Sequence, residues 1–245
     1  MASAIAEAAA GAAALGLAWG GLAYASSWPT SQIFGRTLVA GNDAREIALT
    51  FDDGPNDKAT PQLLDVLARH GVRATFFVLG GFARQRPELV RAVVAAGHLI
   101  GNHTMTHPKL SVTPAAQVRQ ELAECNAVLE DLTGAAVKFF RPPFGARRPM
   151  VLRAAHELGL TPVMWNVTGH DWEAAIGEAG ILRNLDAGIA RNGRAKLGSN
   201  LLLHDGGHRA MGSPRMDTVR AVDQLLAAHA GTATRFVTVD AWVTS

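Results

Sequence analysis

Ile47-Ala48-Leu49-Thr50-Phe51-Asp52-Asp53-Gly54-Pro55 is the stretch around which the rest of the chain can be read. A short run of apolar, β-branched and aromatic side chains reads as a buried strand, and Gly54-Pro55 ends it with turn chemistry. Two adjacent carboxylates at a strand end repel each other, so something must justify keeping both. A metal ion would: one carboxylate could ligate it, while the other, held ionised by the same positive field, handles protons. For these nine residues alone, a turn that favours Asp and Gly is the simpler explanation. The surrounding sequence decides between the two.

Further apolar runs at 75–79, 98–101, 138–140, 161–165, 200–204 and 235–239 alternate with helical patterns. Thr60 reads as a helix cap, with Pro61 at the first helical position and Gly71 just past the end. Thr113, Pro114 and Gly134 repeat that logic around a longer helix with Val118, Leu122, Cys125 and Leu129 on one face. Segments 87–96, 149–158, 180–191 and 216–230 complete the helices. About seven strand–helix units predict an α/β fold with a parallel sheet closed into a barrel. In such a barrel the chemistry gathers at the C-terminal ends of the strands, where Asp52 and Asp53 lie.

The chain has 245 residues, 48% of them hydrophobic and 18% charged, which fits one domain with a proper core and excludes a disordered chain. Its formal charge of +2, without a dense Lys/Arg block, argues against nucleic acid as a partner. Cys125 is the only cysteine, so an intramolecular disulfide and a cysteine metal cluster are both excluded. Residues 1–25 are set apart: from Ala8 to Ala25 no residue is charged. As a helix, residues 8–25 would reach roughly 27 Å, close to a bilayer's hydrocarbon thickness. Ala23-Tyr24-Ala25 also reads as a signal-peptidase site, although Glu7 stands where a basic region is expected. A membrane anchor or export signal is therefore preferred to an apolar helix packed on the domain, with a cell-envelope location, anchored or secreted. Arg36, the first basic residue, follows this segment and leaves the orientation open. Residues 26–44 read as a turn-rich linker and 45–245 as the catalytic domain.

Four more strand ends carry unusual residues. His103-Thr104-Met105-Thr106-His107 places two imidazoles four residues apart, a weak metal signal alone and a stronger one beside Asp53. One Asp and two His would leave positions open for water and substrate. In Arg141-Pro142-Pro143-Phe144-Gly145 the prolines stiffen the backbone, so the first free N–H is that of Phe144, suited to a developing oxyanion. Arg141 could hold a carboxylate ionised. Asp171-Trp172 and Leu202-Leu203-His204-Asp205 follow later runs. A His at a strand tip can present a proton over a pocket, and an Asp on its far nitrogen would raise its pKa. For His204 alone, a structural histidine is an equal reading. His98 reads as structural, His170 and His208 as neighbours of the motifs without an assigned role, and Arg147 as a solvated surface residue.

Taken in order, Thr-Phe-Asp-Asp-Gly-Pro, His-Thr-x-x-His, Arg-Pro-Pro-Phe-Gly, Asp-Trp and Leu-x-His-Asp resemble the five motifs of the polysaccharide deacetylase family (NodB-homology domain, carbohydrate esterase family 4), over roughly residues 45–240. The resemblance implies a distorted (β/α) barrel and metal-dependent removal of acetyl groups from glycans, with zinc the first expectation and cobalt, nickel or manganese the alternatives. It implies Asp52 as general base, Asp53, His103 and His107 as metal ligands, and His204 as general acid. Arg141 matches the residue that orients the base and Asp171 the one that tunes the acid. Trp172 and Leu202 match the groove for the acetyl methyl. Phe144 stands at a frequent tyrosine, and its backbone N–H is the oxyanion donor. The expected substrate is an acetylated glycan built on N-acetylglucosamine, peptidoglycan or chitin-like. O-acetyl xylan esterase is the nearest alternative, and a non-catalytic carbohydrate-binding protein is the alternative of another class.

Overall fold

The structure is a computed structural model that describes residues 20–243. One sheet contains β1 (Glu46–Gly54), β2 (Thr75–Val78), β3 (Leu99–Asn102), β4 (Phe139–Phe140), β5 (Thr161–Pro162), β6 (Val167–Thr168), β7 (Ser199–His204) and β8 (Arg235–Phe236). Its order is β5-β4-β3-β2-β1-β7-β6, with β8 paired to the start of β1, and every pairing is parallel. The helices are α1 (described over 20–27), α2 (Ala59–His70), α3 (Gly80–Gln85), α4 (Pro87–Ala95), α5 (Ala115–Thr133), α6 (Pro149–Glu157), α7 (Gly177–Arg194) and α8 (Met216–His229).

The stretch that opened the reading is the central strand. Residues 47–54 are all buried, because β2 and β7 flank β1 and both of its faces are covered. Ile47, Leu49 and Phe51 join Phe76, Val78, Leu201 and Leu203 in the core beneath the helices. The alternate residues Ala48, Thr50 and Asp52 face inward, as the two-residue period of a strand requires. Ala48 packs there with Phe77, Phe139, Val163, Val239 and Trp242 as an apolar plug. Toward the strand ends the interior turns polar.

Closure into a barrel is not observed. The sheet is a curled, open half-barrel whose two ends, β5 and β6, are joined by residues 163–166 rather than by a ladder. Pro162 offers no N–H, and the following backbone groups are engaged elsewhere. Leu38 donates to the Pro162 carbonyl, Met164 donates back to Leu38, and Asn166 donates to Asn200. The segment expected as a linker therefore runs along the open edge. Val167–Thr168, too short to stand out as an apolar run, supplies the unanticipated β6.

The α5 face is as expected, with Val118, Leu122, Cys125 and Leu129 fully buried and Gly134 at φ 68° as its end. Burial raises the Cys125 thiol to about 12, consistent with a structural role. Thr60, by contrast, is not a cap. Asn56 Oδ1 accepts from the N–H groups of Lys58 and Ala59 at the start of α2, while the Thr60 hydroxyl is committed to Asp205. The apolar N-terminal segment falls mainly on residues 1–19, outside the described residues. Among the described residues no helix is long and apolar enough to cross a membrane.

Candidate active site

Asp52 and His204 are register partners on the adjacent strands β1 and β7. Both belong to the inward face, so parallel pairing alone brings a carboxylate and an imidazole side by side. Asp52 is buried and accepts a hydrogen bond of 2.8 Å from Arg141 Nη1. Arg141 follows β4 and is itself fully buried. It is held by the Thr50 hydroxyl (2.7 Å), the Met164 carbonyl (3.2 Å) and Asn200 Oδ1 (3.3 Å), with the guanidinium 4.2 Å from the centroid of the Phe77 ring. Burial pulls its pKa down, with Asp52 opposing that shift. A buried guanidinium bonded on several sides is a fixed group, and it fixes the carboxylate it faces.

His204 has its own carboxylate. Asp171, in the loop after β6, accepts from His204 Nδ1 at 2.7 Å and from the His204 backbone N–H at 2.7 Å. Thr218 on α8 donates to the same Asp171 at 2.8 Å. Burial alone would lower the His204 pKa, but the charge and hydrogen bond of Asp171, followed by Asp53 and Asp52, outweigh it and raise it to about 9. His204 is thus an imidazolium near neutral pH. Trp172, 45% exposed, meets the His204 ring edge-on at 5.4 Å. Leu202 is buried one pleat beneath His204 on the same face. Trp172 and Leu202 therefore offer apolar surface on two sides of the imidazole.

Asp53 is surrounded by imidazoles. Its Oδ1 lies 3.1 Å from His107 Nε2 and 3.4 Å from His103 Nε2, yet it is buried and makes no hydrogen bond. Burial would raise its pKa, but His103, His107 and His208 together hold it well below the carboxylate range. His103 Nδ1 lies 2.8 Å from the Arg141 carbonyl. A carbonyl only accepts, so Nδ1 carries a proton and Nε2 is the nitrogen turned to the carboxylates, the orientation an outer hydrogen bond gives a metal-ligating histidine. An orphaned carboxylate oxygen facing two imidazole nitrogens fits a divalent cation of the zinc, cobalt, nickel or manganese type, and Asp53, His103 and His107 could hold it.

Sequence reasoning passed over two residues here. His208 donates its backbone N–H to Asp53 Oδ2 at 3.2 Å and stacks on His107 at 4.2 Å. Asp53, His107 and His208 form a group whose ligand atoms all lie within 4.8 Å of one another. Its one signal was its place four residues after His204. Asp205 is the other: burial first, then Asp53 and Asp52, raise its pKa to about 7 despite the 2.5 Å hydrogen bond it accepts from Thr60. It packs directly against Gly54. Arg147 is also misplaced by the surface reading. It is buried, bonding the carbonyls of Gly145, Trp28 and Ser31, because it clamps the N-terminal segment to the loop that carries Phe144.

Backbone strain collects in the same loops. Asp53, Thr104, His107, Phe144 and His170 all have φ between 55° and 70°, and Lys196 has the other positive non-glycine φ among the described residues. Each such residue costs on the order of 1–3 kcal/mol, which the surrounding packing must offset. Phe144 turns its half-exposed ring edge-on to His107 at 4.5 Å. Its backbone N–H makes no hydrogen bond within the described residues.

Comparison with known proteins shows the family. The polysaccharide deacetylase family model matches residues 40–163. A chitooligosaccharide deacetylase of Rhizobium leguminosarum bv. trifolii is 45% identical over 168 residues, covering 68% of this chain and 74% of that one. A peptidoglycan-N-acetylglucosamine deacetylase of Bacillus cereus is 37% identical over 198 residues, covering 79% of this chain and 66% of that one. A solved peptidoglycan N-acetylglucosamine deacetylase, in complex with 4-naphthalen-1-yl-N-oxidanyl-benzamide, superposes with a TM-score of 0.74 at 35% identity, over 83% of this chain and 91% of that one. The chain belongs to the polysaccharide deacetylase family.

Proposed function

We propose that the protein hydrolyses N-acetyl groups on N-acetylglucosamine units of an oligo- or polysaccharide of the cell envelope. The observation that carries this reading is the pairing of Asp52 with His204, each backed by its own fixed partner of opposite charge, beside the Asp53 imidazole cluster. A divalent ion held by Asp53, His103 and His107 would supply a more acidic water and polarise the acetyl carbonyl.

The remaining work falls to the protein's own groups. Asp52, held in place by Arg141, accepts the proton of the attacking water. Charge then develops on the former carbonyl oxygen, and the free Phe144 N–H donates to it from a backbone fixed by Pro142 and Pro143. His204, already an imidazolium, gives its Nε2 proton to the departing amine while Asp171 holds Nδ1. Trp172 and Leu202 receive the methyl and keep bulk water from the leaving group. No covalent intermediate is required, and buried Cys125 stands apart from this chemistry.

The test is release of acetate from N-acetylglucosamine oligomers, with and without chelator, run in parallel with an O-acetylated xylan. Chelator-sensitive release from the N-acetyl substrate supports the reading. Release from the xylan alone would make the protein an esterase, and binding of either glycan without any acetate would make it a carbohydrate-binding protein.

A further inference from the structure

His208 is close to Asp53 without being hydrogen-bonded to it through the ring. Its backbone N–H bonds Asp53 Oδ2, which pins residue 208 at the carboxylate. The ring nitrogen Nδ1 nonetheless stops 3.5 Å from that oxygen. His107 behaves alike: its Nε2 stops 3.1 Å from Asp53 Oδ1, and that oxygen, though buried, accepts no hydrogen bond. Asp53, His107 and His208 thus bring ligand atoms within 4.8 Å of one another beside that orphaned oxygen, a spacing that a single cation can bridge. The two rings are nearly parallel, 10° apart at 4.2 Å, and the Phe144 ring stands edge-on to both. The loop geometry is equally constrained, because Gly206 lies against the Asp53 carbonyl and leaves no space for a side chain.

We propose that His208 is a fourth protein ligand of the metal, and the displaceable one. This rests on the reading that Asp53, His103 and His107 hold a divalent ion. Exposure separates the four: the side chains of Asp53, His103 and His107 are 5%, 2% and 5% exposed, whereas that of His208 is 32% exposed. The three buried groups form a fixed floor, and His208 closes the side open to solvent, where a glycan must enter. Substrate then competes with His208 for the metal, and the free enzyme holds its ion more tightly than three ligands would allow.

Calorimetric titration of the metal-free enzyme with zinc tests this, alongside the visible absorption of the cobalt form, which reports the ligand set. His208→Ala and the bulkier His208→Gln should each weaken zinc binding by roughly 10–100-fold, the loss seen when even a supporting group of a metal site is removed. Both should also change the cobalt spectrum, and saturating N-acetylglucosamine oligomer should move the wild-type cobalt spectrum toward that of the variants. Unchanged zinc affinity and spectrum in both variants, with the metal-free melting temperature preserved, would overturn the proposal while leaving the metal reading intact. Asp53→Ala separates the two: if the wild type takes up no zinc, or Asp53→Ala takes up as much, the three-ligand reading falls and this proposal falls with it.

Discussion

Asp52 and His204 face each other across one strand pairing, and under the proposed function the first takes up a proton and the second gives one. Arg141 bonds the first and Asp171 the second, and the Asp171 effect has a readable sign. Because the His204 pKa is raised from 6.5 to about 9, the imidazolium and its ion pair persist through neutrality. Their contribution to stability is complete below about pH 6.5 and is lost as pH rises through about 9. Activity that depends on the same proton should fall on that alkaline side. In Asp171→Asn the raising charge is gone, and the alkaline limb of kcat/KM should move toward lower pH; an unmoved limb would assign it to another group. Asp52→Asn should lower kcat by roughly 10²–10⁴-fold, the usual size of a general-base contribution, while metal stoichiometry stays that of the wild type. Equal loss of metal and activity would mean that the two neighbouring carboxylates do not have separate roles.

At the level of elements, the site depends on the loops after β1 and β7 touching backbone to backbone. A Cβ on Gly206 would stand inside contact distance of the Asp53 carbonyl, and one on Gly54 would strike the Asp205 carboxyl. Gly206→Ala should therefore push the two loops apart, costing about 1–3 kcal/mol of stability and weakening metal binding; calorimetry and thermal melting of the same preparation would measure both. A variant with wild-type melting and metal affinity would show that the loops yield freely. The elements themselves were unequally legible. β1 and α5 could be read because their apolar patterns are long and end in Gly-Pro or Gly. β6 could not, since two residues carry no period, and neither could the open edge, which depends on where the backbone groups of 163–166 find partners. Asn56 Oδ1, rather than Thr60, meets the first N–H groups of α2, because the helix already begins at Ala59 and puts Thr60 inside its first turn. His208 was left without a role because its partners Asp53 and His107 reach it only through the fold.

For the whole molecule, the open half-barrel raises the question of what holds its unpaired side. The chain before β1 does so, and Arg147 is the point where it is fastened. The Arg147 backbone N–H bonds the Ser26 carbonyl at 2.9 Å, and its guanidinium bonds those of Trp28 and Ser31 at 2.8 Å each and of Gly145 at 3.0 Å. Burial lowers its pKa, and no acidic partner among the described residues offsets that cost, so the carbonyls alone must hold the charge. Segment 26–31 and the Phe144 loop are therefore one unit, and the substrate contact proposed for Phe144 would depend on residues that precede the sheet in sequence. Arg147→Met, which keeps most of the apolar stem, should cost about 2–3 kcal/mol, the scale of charge-assisted hydrogen bonds lost. For a chain of this size that lowers the melting temperature by roughly 2–4 °C per kcal/mol. Hydrogen exchange should quicken at residues 26–31 and 144–147 while β1 and β7 keep their protection, because those strands are paired on both sides. KM should rise more than kcat falls, since the loop that loosens contacts substrate and the proton carriers stay in place. Uniform loss of protection across the sheet would instead make Arg147 a determinant of the core, and the N-terminal segment a passenger on it.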